Sequence, residues 1–174
     1  MKRIIVLLKL LLFSIFCSAQ TVGVITSSMT IELSPDKWVF ITDTTAFDGV
    51  SRAAIIVGIS NSKYVRTPVL GVNKTDGYET VVHLVYFPAD ICGDNTLLVK
   101  FSGDRKVYKL KVGYSFQTQR YTILFDDNEL SQYLFINKLH TNLNLCMRLM
   151  NSCNMVDVKF SLSGASEALM QLEK

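Results

Sequence analysis

The sequence predicts a mainly β, antiparallel, sandwich-like domain with two short helices, at the borderline of the α+β class. Three observations lead there. Apolar and polar side chains alternate with period two through Leu97–Phe101, Tyr108–Val112 and Tyr121–Phe125, the pattern of strands with one buried and one wet face. Ser102-Gly103-Asp104 separates the first two runs, and alternation around a Gly-Asp turn is a hairpin signal. The C-terminal third then changes to a helical spacing, followed by a second alternating pair.

The elements follow in chain order. Trp38–Ile41, after Pro35, is the first long strand of the domain. TDTTAFDGVS, residues 42–51, reads as a loop, because Asp, Thr and Gly favour turns. In Ala53–Ile59 the odd positions are all apolar. Val81–Phe87 is apolar on both faces except at His83, as a central strand would be. From 127 to 139 a short helix is expected, with Asp127 or Asn128 as its cap and Leu130, Tyr133, Leu134 and Leu139 along its apolar side. Leu143–Leu149 and Val156–Leu162 alternate around a turn at Asn151-Ser152. Ala165–Leu172 closes the chain as a helix.

At the other end, residues 1–20 have the layout of a secretory signal peptide. Lys2, Arg3 and Lys9 precede an uncharged apolar run from Leu10 to Phe16, and small residues follow at Cys17, Ser18 and Ala19. Cleavage is expected after Ala19 or Gln20, with lipid attachment at Cys17 as the weaker alternative. The run is too short to span a bilayer, and residues 21–174 form a single exported domain with no membrane span. The whole chain carries 18 Lys+Arg and 15 Asp+Glu, and the signal holds three of the basic residues and no acidic one. The remaining domain is therefore formally neutral, which argues against nucleic acid as a partner.

Candidate chemistry is sparse. In FSLSGASEAL, Ser163 lacks both glycines of a Gly-x-Ser-x-Gly elbow. Ser163 and Gly164 are instead expected to cap the final helix. His83 and His140 have no metal-ligand spacing, and no metal or cofactor is expected. Cys92, Cys146 and Cys153 remain after the signal, an odd number. A Cys146–Cys153 disulfide is a candidate. The two-residue Asn151-Ser152 turn opposes it, because that register sets Cys146 against Asp157. Trp38, Asp43 and Asp48 are candidate binding residues, since loops on a rigid scaffold often carry binding. The simpler reading makes Trp38 a core anchor and the two aspartates turn formers.

Trp38, the Asp43–Asp48 segment, the apolar strand after it and Phe-x-Leu-x-Gly at Phe160–Gly164 together resemble a loose group of small exported β-rich proteins of unassigned function. Accessory proteins associated with bacterial type VI secretion have a similar layout. The signal ending Ser-Ala-Gln resembles those of Bacteroidota-type bacteria. The resemblance implies a bacterial envelope location, periplasmic or secreted, and no catalysis. The expected function is a non-catalytic exported domain that binds an envelope or extracellular protein. The alternatives are a carrier of a lipid or other hydrophobic small ligand, whose pocket would draw on the 49% hydrophobic composition, and a hydrolase using His83 or His140.

Overall fold

A computed structural model describes residues 34–35, 37–45, 49–61, 67–85, 95–115, 120–151 and 155–174. Among these residues ten strands form one sheet: β1 (Val39–Thr45), β2 (Gly49–Val57), β3 (Ile59–Ser60), β4 (Val69–Thr75), β5 (Val81–Val85), β6 (Thr96–Phe101), β7 (Tyr108–Ser115), β8 (Arg120–Leu124), β9 (Asn144–Met150) and β10 (Met155–Ser161). Two helices accompany them among the described residues, α1 (Gln132–Thr141) and α2 (Ala165–Met170), the second running into a 3-10 turn at Gln171–Glu173. The mainly β, antiparallel class with two short helices is thus the observed one.

The strand order is β1-β2-β4-β5-β8-β7-β6-β9-β10-β3, and the named strand pairs are antiparallel. Gly58 alone separates β2 from β3, yet β2 pairs with β1 and β4 whereas β3 pairs with β10. The chain therefore carries the sheet round from one side to the other at Gly58. Two faces enclose one core, but the hydrogen bonding is continuous rather than split between two separate sheets. A Cβ on Gly58 would lie 2.5 Å from Val158 Cγ1 and 2.7 Å from Phe160 Cε1, so only a bare backbone can turn here.

Strand parity decides what enters the interior. Ala54 and Ile56, Leu70 and Val72, Val82 and Leu84, and the alternate residues of β6–β10 form one large core. Ala53, Ile55, Val57 and Val69, on the opposite face of β2 and β4, form a second, smaller cluster. Both faces of β2 are therefore buried, and its run of apolar residues follows from that.

α1 seats Phe135 and Leu139, one helical turn apart, in the main core. The Phe135 ring meets Phe101 edge-on at 5.6 Å and Phe125 at 5.2 Å between centroids. Ser131 caps this helix, its Oγ accepting from Leu134 N at 3.2 Å. Asp127 and Asn128 are not the cap. Asp126 organises a turn before the helix, accepting from Asn128 N at 2.9 Å. The later start rotates the buried stripe, leaving Tyr133 and Leu134 exposed while Phe135 takes the interior. Lys138 Nζ lies 2.7 Å from Asp104 Oδ1, and Oη of the core residue Tyr108 donates to Asp104 Oδ2 at 2.9 Å. That half-buried triad ties α1 to the β6–β7 connection.

The segment read as a loop at 42–51 is largely strand. β1 runs to Thr45 and β2 starts at Gly49, with Asp43 paired to Ser51 and Thr45 to Gly49. β-branched threonines suit a pleated edge strand, and Gly49, at φ 74°, supplies the left-handed residue that the reversal needs.

Candidate functional site

The residues singled out from the sequence do not converge. Trp38 is buried in the main core, and its Nε1 has no hydrogen-bond partner among the described residues. Asp43 sits half-buried on β1, where its Oδ1 accepts from Thr44 N at 2.9 Å. Asp48 lies outside the described residues. Gly164, at φ 80°, is the N-cap position of α2, and no side chain bonds there. Ser163 is exposed and one residue too early to cap, so of the two expected capping residues Gly164 alone holds the position. The reversal is closed instead by Ala165 N donating to Leu162 O at 3.0 Å.

Cys146 is a free, exposed thiol. Its cross-strand partners are Lys100 on β6 and Lys159 on β10. Met150 pairs with Met155, so the hairpin connection spans 151–154 and the Asn151-Ser152 two-residue turn is not formed. Cys153 and Cys92 lie outside the described residues.

The histidines belong to different environments. His140 Nδ1 is 3.2 Å from Ser166 Oγ, joining α1 to α2. His83 Nδ1 is 3.3 Å from Thr122 Oγ1 on the neighbouring β8. Neither hydrogen-bonds a carboxylate among the described residues, and no group of three or more His, Cys, Asp or Glu among them could hold a metal ion. Burial, aided by the Arg120 charge, pushes His83 down to about 4, so the ring is neutral at pH 7. Its folded value lies below the ordinary 6.5. The unfolded chain therefore binds the extra proton, and stability present above pH 6.5 is lost as the pH falls towards 4. Urea denaturation should show a loss approaching about 1.4 kcal/mol per pH unit from this residue within that window. His83→Gln should flatten the profile there; an unchanged slope in the variant would refute the assignment.

Sequence reasoning missed a different feature, the outward face of β7, β6, β9 and β10. Its side chains alternate with the core residues, and the strand register sets them in rows. One row runs Lys100, Cys146, Lys159 and Ile59; the next runs Lys109, Leu98, Arg148 and Asp157. Residues directly opposite one another are in side-chain contact range. Arg148 grips Asp157 with Nε and Nη2 at 2.5 and 2.8 Å. That hydrogen-bonded guanidinium holds the Asp157 carboxyl below its usual range. With this pair neutralised, Lys100, Lys109, Lys111 and Lys159 are the remaining charges of the face, all exposed and without an ion pair among the described residues.

A groove of about 550 Å³ follows the first row. Leu98, Cys146, Lys100 and Lys159 line it together with the Arg148–Asp157 pair, and so do Ile59 and Val107, at 62% and 47% exposure. Exposed apolar side chains bounded by charged ones are the composition of an interaction surface. The alternation that marked Lys109 and Lys111 as outward was the available signal; the rows exist only once the strands are in register.

No protein-family profile matches the chain, and no curated protein matches it. Among solved structures, the fold is similar to invasion associated protein b from Bartonella henselae, with a TM-score of 0.54 at 12% identity over 78% of this chain and 91% of that one. The likeness is one of fold. It agrees with the small β-rich layout noted in the sequence and has no specific bearing on type VI secretion.

Proposed function

We propose that this chain is an exported, non-catalytic binding domain that docks a protein partner on the outward face of β6, β9, β10 and β3. The carrying observation is the groove along Lys100, Cys146 and Lys159, whose lining includes exposed Ile59 and Val107. Export rests on the signal-like residues 1–20. The lack of a histidine–carboxylate pair or metal cluster among the described residues supports binding over hydrolysis. A carrier would need room between the sheet faces, and that space is filled by Tyr121, Phe101, Phe135 and Phe160, each at 0–1% exposure.

The test uses Cys146 itself. A photo-crosslinker attached to its thiol, in the chain returned to its host compartment, should yield one discrete protein adduct. The same probe at Tyr78→Cys in a Cys146→Ser background, on the distant β4–β5 turn, should not. Equal adducts at both positions, or none at Cys146, would reject this face as the docking surface.

A further inference from the structure

We infer that the groove recognises an acidic polypeptide segment that inserts one apolar side chain between Lys100 and Lys159, an inference that rests on the docking reading above. Charge decides the occupant. The outward face of β7, β6, β9 and β10 displays five cations, Lys100, Lys109, Lys111, Arg148 and Lys159, against the single carboxylate of Asp157, and Arg148 already satisfies that carboxylate. Four exposed lysines in one patch repel a basic partner and draw an acidic one.

Shape narrows the choice. Lys100 and Lys159 stand on strands separated by β9 alone, two strand spacings apart, or roughly 10 Å. Between them lies the small Cys146 side chain, and Leu98, Ile59 and Val107 share the lining with the Arg148–Asp157 pair. An extended peptide presents residues i, i+2 and i+4 on one side. A segment with an apolar residue in the middle and carboxylates two residues away on either side can fill the trough and reach both ammonium groups together. A flat anionic membrane would meet the lysines but would leave the trough unfilled, so the concavity favours the peptide.

The experiment is an NMR titration of the isotope-labelled chain with the peptide Glu-Ser-Leu-Ser-Glu, its glutamine-substituted form and its lysine-substituted form. The glutamate peptide is expected to shift the amides of Lys100, Cys146 and Lys159. The glutamine form should bind at least 10-fold more weakly, and the lysine form should not bind. Lys100→Glu/Lys159→Glu, both exposed sites that leave the core intact, should weaken the glutamate peptide at least 10-fold and restore binding of the lysine form. Equal affinity for the glutamate and glutamine peptides, shifts confined to another face, or indifference to the double reversal would overturn the inference. So would lysine-dependent binding to phosphatidylglycerol vesicles without any peptide shift, which would assign the face to a lipid surface. If the Cys146 crosslink succeeds while the reversal has no effect, the acidic chemistry alone falls; if both fail, the docking face falls with it.

Discussion

Phe135→Ala is expected to cost about 3–5 kcal/mol of folding stability. Phe135 is fully buried and is the ring by which α1 enters the main core, against Phe101 and Phe125. Truncation removes the transfer energy of the ring and leaves a cavity. The walls are strands held by neighbours on both sides, so collapse into that cavity is restricted. A domain of this size has on the order of 5–15 kcal/mol in total, and the variant should melt roughly 10 °C lower or more. Equilibrium urea unfolding measures the loss. A change below about 1 kcal/mol would mean that α1 is not anchored in the core through this ring. Tyr133→Ala, two residues away but 78% exposed, is the matched control and should be close to neutral.

Gly58→Ala is expected to be damaging for the opposite reason, excess volume. Its new methyl group would fall 2.5 Å from Val158 Cγ1 and 2.7 to 2.9 Å from two atoms of the Phe160 ring. Val158 and Phe160 are themselves buried core residues, so neither can swing aside freely. Overpacking of this kind typically costs about 1–3 kcal/mol, and the damage should concentrate where β3 meets β10. Hydrogen exchange should therefore quicken at Ser60 and Lys159 before it does at β7. The decisive measurement is a double-mutant cycle. Val158→Ala removes one of the clashing atoms, so the two changes together should cost less than their sum. Simple additivity would show that the crowding is not what Gly58 relieves.

These two residues also show what can be read from sequence and what cannot. The β6–β7 and β9–β10 hairpins were plain because one face of each is solvated: Leu97, Val99 and Phe101 point inward while Lys100 points out, and the alternation survives in the residue order. α1 was placed but rotated. Asp127, Asn128 and Ser131 are all good capping residues, and only tertiary packing chose Ser131, thereby sending Phe135 rather than Tyr133 inward. The strand character of Thr42–Thr45 was hidden by turn-forming neighbours, and pairing with β2 overrode that preference. Gly58 sat unremarked within an apolar run, since its task depends on Val158 and Phe160, far away in the chain. The candidate site was hidden for a related reason. Lys100, Cys146 and Lys159 lie on three strands, and a net charge summed over a sequence cannot reveal that cations have been gathered on one face.

The junction at Gly58 also sets an order of events for a newly made chain. Asn61 bonds Asp157, a contact spanning 96 residues, and among the described residues β3 finds its strand partner in β10 alone. The N-terminal arm of the sheet must therefore wait for almost the whole polypeptide before its last seam can close. Contacts of such long sequence separation slow folding. Because synthesis runs N-terminus first, β2 and β3 emerge well before the β9–β10 hairpin that completes them, and this seam is the slow step.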